Sequence, residues 1–221
     1  MKRRVVITGM GVVSPNGIGL EAFNNAIRNG KSGIKFIEEL KTLGLNCHIG
    51  GIPEMTEEIL KNSIPKHLLN RINASNILFG LVAGLEAWKN SKREINDEVD
   101  WNSGVIMGSQ TVDGNFAKEI IEKVYNNNIR KLSGRTAEQA ITSSLSAYLS
   151  GYIGLGNCAI SNSSACTTGT ESIYMAYNKI KSGESECILA GSSEGSSPFI
   201  WSTLDRLRAL NFYSNNEPSK G

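Results

Sequence analysis

No stretch of this sequence comes near the roughly 18 uninterrupted apolar residues that a membrane-crossing helix needs, so no membrane span is expected. The N-terminus begins with basic residues but has no apolar core behind them, which argues against a secretory signal. Cysteine is scarce, with four in 221 residues. Cys47, Cys158, Cys166 and Cys187 form neither a CxxC pair nor a zinc-type spacing, so no metal is expected. Cys158 and Cys187 sit in apolar strand-like runs and read as buried thiols, which fits a reduced, cytoplasmic setting. Histidine is scarcer still, with His48 and His67 alone. His48 stands beside Cys47 without further ligands, and His67, after Pro65-Lys66, reads as a surface or cap residue. Basic residues cluster only at Lys2-Arg3-Arg4, and a net charge of +2 leaves no footprint for nucleic acid.

What is present is an ordinary globular composition, 40% hydrophobic and 20% charged. The length suits one large domain or a domain and a half. Residues 4–9 are β-branched and end in glycine, so a buried strand is expected there. A glycine-rich loop follows to Gly19, then a helix over 21–29. Residues 31–65 mix glycine, proline and charge and read as an irregular excursion. Apolar spacing predicts a helix over 73–90, through Ile77, Leu81, Leu85 and Trp88. A strand at 104–107 and helices at 115–126 and 136–149 come next. Then a strand at 158–160, a helix over 167–181 ended by Ser182-Gly183, and a strand at 187–190 follow in close order. Strands alternating with helices argue a layered α/β fold. Residues 215–221 are loop-like and leave the pattern open, so the chain is expected to stop mid-fold.

Three motifs offer chemistry. Gly9-Met10-Gly11-Val12-Val13-Ser14 resembles a dinucleotide loop, but Pro15-Asn16-Gly17 prolong it and no helix begins before about Leu20. A phosphate would find no helix N-terminus there. Gly191-Ser192-Ser193-Glu194-Gly195 is formally a GxSxG sequence. Both histidines lie upstream of it, and Pro198 interrupts the helix that a hydrolase elbow would begin. A serine hydrolase acting through Ser193 is therefore the weakest alternative. In the third motif, Ser163-Ser164-Ala165-Cys166-Thr167-Thr168-Gly169 joins a strand to a helix and leaves Cys166 at the helix N-terminus. Unpaired N–H groups and the helix dipole favour an anion there, and the small neighbours let a bulky thioester approach. The same N–H groups are placed to hold an oxyanion. A buried structural cysteine is the competing reading, and spacing alone does not separate the two.

Taken in order, these residues resemble the elongating β-ketoacyl-acyl-carrier-protein synthases. Val5-Val6-Ile7-Thr8-Gly9-Met10-Gly11 with Ser14-Pro15-Asn16-Gly17 is similar to the family's opening, and Gly30-Lys31-Ser32-Gly33-Ile34 to the segment after it. The 163–169 motif is similar to the family's nucleophile sequence. Ala190-Gly191 with Glu194, and Arg208-Ala209-Leu210, are similar to the stretch beyond that motif. The resemblance implies a thiolase-like layered αβαβα fold, of which residues 1–221 are the N-terminal half, working as a homodimer or with a related subunit. It implies that Cys166 accepts an acyl group from the phosphopantetheine arm of acyl carrier protein. Malonyl-carrier protein then loses carbon dioxide and its carbanion attacks the acyl thioester, in fatty-acid, polyketide or polyene synthesis. No cofactor bound by the enzyme itself is implied.

By the same resemblance Thr111 lines the acyl pocket and Leu204 lies near a gating position. The family's two catalytic histidines and a lysine fall in its second half, so this chain alone is expected not to complete a condensation. The alternative is a non-catalytic, chain-length-determining partner of an active synthase. Such partners usually lack the cysteine.

Overall fold

A computed structural model of the chain describes residues 3–95 and 97–221; Lys2 of the basic tripeptide lies outside the described residues. Among the described residues the run expected to be a buried strand at 4–9 joins no ladder, and Ile7 is 80% exposed. β-Branched residues favour a strand, but a strand also needs an edge to pair with. Backbone donors beyond the run are taken by side chains instead: Met10 N–H donates to Asn90 Oδ1 at 3.0 Å and Val12 N–H to Glu86 Oε2 at 2.9 Å. A short hairpin follows, β1 (Val13–Ser14) against β2 (Gly17–Ile18), and α1 (Leu20–Arg28) starts where the glycine-rich loop ends. Leu20 N–H reaches Glu86 Oε1 at 2.7 Å, so one carboxylate holds both ends of the hairpin.

The excursion at 31–65 is more ordered than expected. β3 (Lys35–Phe36) pairs with β4 (Ile49–Gly50) around α2 (Glu38–Thr42), and α3 (Glu57–Ser63) and α4 (Lys66–Leu69) follow. Leu40, Cys47 and Ile64 are buried within it. Next in the chain come α5 (Ser75–Asn90), β5 (Ser103–Gly108), α6 (Gly114–Tyr125), α7 (Thr136–Gln139) and α8 (Ser144–Ile153). β6 (Ala159–Ile160), α9 (Thr168–Ser182), β7 (Cys187–Ser192) and α10 (Pro198–Arg206) complete the order. Pro198 thus begins a helix rather than preventing one. Its fixed φ and missing N–H cost nothing in a first turn.

The helix expected over 136–149 is two pieces, α7 and α8, with 140–143 between them. Non-local hydrogen bonds break it. Gln139 turns inward, its Oε1 accepting Asn73 N–H at 2.7 Å and its Nε2 donating to Arg71 O at 3.0 Å. The Ser144 hydroxyl bonds to Glu138 O and Ile141 O, competing with the backbone ladder. Cys158 and Cys187, read from sequence as buried, are half-buried instead: Cys158 precedes β6 and Cys187 is the first residue of β7. Burial still pushes both thiols above their ordinary range.

β5 lies between β6 and β7, all parallel, and its six residues are buried. Val105 and Met107 join a core with Ile77 and Leu81 of α5 and Leu145 and Leu149 of α8. The backbones of α5 and α8 approach closely because Gly80 carries no side chain. A Cβ there would stand 2.3 Å from Leu145 Cδ2. Gly108 faces the other side of the sheet, where a Cβ would lie 2.2 Å from Thr168 Cγ2 at the start of α9. Helices therefore cover both faces of a parallel sheet, the expected α/β layering.

Two buried carboxylates fasten the periphery. Asp113 caps α6 by accepting Phe116 N–H at 2.8 Å and also accepts Ser75 N–H at 2.8 Å, so it serves the first turns of two helices. Asp205 of α10 accepts the N–H groups of Asn46 and Cys47, the latter at 2.9 Å. Burial alone would raise its pKa, but those amides, the Asn46 side chain and Arg206 hold it below the ordinary carboxylate range. Its contribution to stability is thus complete above about pH 4 and fades as pH falls below that value. Asp205→Asn is expected to cost about 1–2 kcal/mol at pH 7. That deficit should shrink as pH falls below about 4, as read from urea midpoints at pH 7 and near pH 3. An equal deficit at both pH values would mean that charge plays no part.

Candidate active site

The carboxyl ends of β5, β6 and β7 lie together, the place where parallel α/β sheets hold their ligands. The turn Ala165–Thr167 sits there, between β6 and α9, and carries Cys166 exposed at its middle. Ala165 has φ 49°, a left-handed conformation that costs an L-residue about 1–2 kcal/mol. The surroundings hold it there. Ser164 N–H donates to Thr168 Oγ1 at 2.9 Å, and that hydroxyl donates to Ala165 O at 2.7 Å. Thr167 Oγ1 donates to Ser164 O at 2.8 Å. Asn162 Nδ2 donates to Thr168 O at 3.0 Å, while its Oδ1 accepts the Ser172 hydroxyl at 2.7 Å.

This polar clasp consumes the hydroxyls around Cys166 and leaves its thiol free. No side chain caps the N-terminus of α9; Thr167 N–H donates to Ser164 O and Thr168 N–H to Ala165 O, so what the start of α9 offers a negative charge at Cys166 is the positive end of its dipole. Glu171, also in the first turn, accepts the Ser164 hydroxyl. The turn is anchored below as well. The Ser161 hydroxyl donates to Ser146 Oγ at 2.8 Å, and Ser146 Oγ takes Met107 N–H at 3.1 Å, tying β6 and β5 to α8.

The other candidates fall in different places. Thr111 is half-buried in the loop 109–113 after β5, and that loop touches the segment leading to the Cys166 turn: Ser163 Oγ donates to Gln110 O at 3.0 Å. Leu204 is half-buried on α10, and among the described residues no hydrogen bond joins α10 to 161–167. Ser193 donates its hydroxyl to Asn76 O at 2.7 Å. His48 sits against Phe36, with Nε2 2.9 Å from Leu45 O, and His67 is exposed beside Tyr152, the surface position expected of it. Among the described residues neither histidine hydrogen-bonds to Ser193. Among them, too, no group of three or more His, Cys, Asp or Glu side chains is arranged to hold a metal ion, and no helix is long and apolar enough to cross a membrane.

Sequence reasoning missed the positioning roles of Gln139, Asp113 and Asp205. Asp113 alone had a local signal, an acid three residues before Phe116 at a helix start. Beside the strand ends, a cleft of about 430 Å³ opens between Val12, Phe79, Ser192, Glu194 and Trp201.

A family model described as beta-ketoacyl synthase, N-terminal domain, matches residues 2–220. The 3-oxoacyl-[acyl-carrier-protein] synthase 2 of Vibrio cholerae is 32% identical over 99% of this chain and 52% of its own length. A crystal structure of a beta-ketoacyl synthase from Burkholderia phymatum superposes with a TM-score of 0.86 at 21% identity, over 99% of this chain and 53% of that one, which shows a shared fold. A type II polyketide ketosynthase, solved with its acyl-carrier protein and bound to the hexaketide, matches at 25% identity with a TM-score of 0.78. That match covers 95% of this chain and 50% of the solved one. The chain spans about half the length of the curated relatives it matches.

Proposed function

The chain belongs to the β-ketoacyl synthase family through its N-terminal domain, with the thiolase-like α/β fold of that half, and on that premise we propose that it carries the acyl-accepting nucleophile of a decarboxylative condensing enzyme. The observation that carries the reading is Cys166, exposed on a strained turn at the N-terminus of α9 and at the carboxyl end of the parallel sheet.

In the first step Cys166 Sγ attacks the thioester carbonyl of an acyl group on acyl carrier protein. The new C–S bond forms, the phosphopantetheine sulfur leaves, and the proton of Cys166 goes to it. The positive end of the α9 dipole favours the intermediate oxyanion. In the second step malonyl-carrier protein loses carbon dioxide. The resulting carbanion attacks the acyl carbonyl, forming the C–C bond and expelling Cys166 as a thiolate, which takes its proton from water. Splitting the condensation in this way is covalent catalysis.

The reading takes residues 1–221 as one N-terminal synthase domain, Thr111 as a wall of the acyl pocket and Leu204 as a residue at its gate. It takes acyl carrier protein as partner, a dimer with a like or related subunit as the assembly, the cytoplasm as the setting, and no cofactor beyond the carrier's arm. A free, exposed Cys166 fits a catalytic chain better than a non-catalytic partner. The engaged hydroxyl of Ser193 disfavours a hydrolase.

Iodoacetamide at one equivalent tests the site. It is expected to alkylate Cys166 about tenfold faster or more than Cys47, Cys158 or Cys187, which are buried or have thiols pushed up by burial. Uniform labelling of all four cysteines would count against it.

A further inference from the structure

Glu194 follows the end of β7 and turns its carboxylate onto the loop that follows β5. Its Oε1 accepts Gln110 N–H, and its Oε2 lies 3.4 Å from Ser109 Oγ. The Ser109 hydroxyl spends its proton on Thr111 O at 2.7 Å, which curls the loop on itself. On the far side, Gln110 O accepts the Ser163 hydroxyl at 3.0 Å, three residues before Cys166. Gln110 is therefore clamped at both ends, its N–H by Glu194 and its carbonyl by the nucleophile loop. Thr111 is the next residue. Glu194 is exposed as a residue, and partial burial of its carboxylate pushes the pKa up, opposed by the Gln110 N–H, the Ser109 hydroxyl and the Thr111 N–H.

We propose that Glu194 is a positioning residue for acyl selection: it fixes residues 109–111 so that Thr111 meets the chain carried on Cys166 at one set distance. The proposal rests on the acyltransferase reading above and goes beyond it, since that reading gives Glu194 no part. Positional errors of about 1 Å at such a wall change rates by up to about a hundredfold. Glu194→Ala frees Gln110 N–H, whereas Glu194→Gln keeps an amide oxygen to accept it.

The test compares acylation of Cys166 by hexanoyl- and dodecanoyl-carrier protein in the 221-residue chain, with hydrogen exchange at the Gln110 amide as a second readout. In Glu194→Ala the ratio of the two acylation rates is expected to shift about tenfold while iodoacetamide alkylation of Cys166 stays within about twofold. Exchange at Gln110 should rise about tenfold or more. Glu194→Gln should restore both. An unchanged ratio, or an equal loss with both substrates that glutamine fails to rescue, would overturn the proposal and leave Glu194 a merely structural residue. A wild-type chain that takes up neither acyl group counts against the acyltransferase reading. Exchange at Gln110 then decides the positioning claim alone: protection lost in Glu194→Ala and regained in Glu194→Gln supports it, and protection unchanged by the alanine overturns it.

Discussion

Cys166→Ala is expected to abolish acyl-enzyme formation, lowering the rate of acyl uptake by about 10³-fold or more. No other thiol in the chain can take over. The Cys47 thiol is buried and hydrogen-bonded to Ile49 O at 3.4 Å and Asn211 O at 3.2 Å. Cys158 and Cys187 lie at the far ends of the strands, with thiols that burial pushes up. Because Cys166 is exposed and carries no packing, its loss should leave stability within about 0.5 kcal/mol of the parent. Loss of uptake with an unchanged unfolding midpoint therefore separates a nucleophile from a structural thiol. Cys166→Ser keeps the shape but offers a far weaker nucleophile, so its uptake should stay close to that of the alanine variant. Uptake unchanged in Cys166→Ala would move the acylation site elsewhere.

Gly108→Val is expected to damage both fold and site. Any Cβ at this position would stand 2.2 Å from Thr168 Cγ2 and 2.6 Å from both Asn162 O and Asn162 Oδ1. Those atoms belong to the clasp that holds the strained turn at Ala165. Two of the three contacts are with groups fixed by hydrogen bonds, so the side chain cannot be accommodated by a rotamer change. Relief requires the N-terminus of α9 to lift from the end of β5. The cost is about 3 kcal/mol in stability, the upper range for overpacking. Cys166 would move with the helix, and acyl uptake should fall by about a hundredfold even in molecules that remain folded. Thermal unfolding and uptake measured on the same preparation check both. A variant that is destabilised yet takes up acyl groups at the parent rate would show that the turn is set independently of the strand.

These contacts also explain what the sequence could and could not reveal. α5, β5, α9 and β7 were legible because their signals are local: helical apolar spacing around Ile77 and Leu81, short β-branched runs, and Gly183 with φ 88° closing α9. The strand–turn–helix around Cys166 was legible for the same reason. Pro198 was misread although its signal, a proline in a first helical turn, is local; the three largest failures are non-local. Residues 4–9 have the composition of a strand but no ladder to join. The helix at 136–149 breaks because Gln139 serves Asn73 and Ala74, some 65 residues away in sequence. The order within 31–65 depends on Asp205, 158 residues beyond Cys47. Glu194 was visible as a residue, but its role depends on a loop 84 positions earlier. Thr111 follows Gln110, whose carbonyl accepts the Ser163 hydroxyl, while Leu204 sits on an element fastened elsewhere.

The central claim is that Cys166 accepts the acyl group, and peptide-level mass spectrometry after incubation with an acyl-carrier-protein thioester tests it most directly. The account predicts one acyl adduct per chain, carried on the peptide containing Cys166, removed by neutral hydroxylamine and absent from Cys166→Ala. An adduct on Ser193 or on another cysteine, or an acyl group that persists in Cys166→Ala, would contradict it.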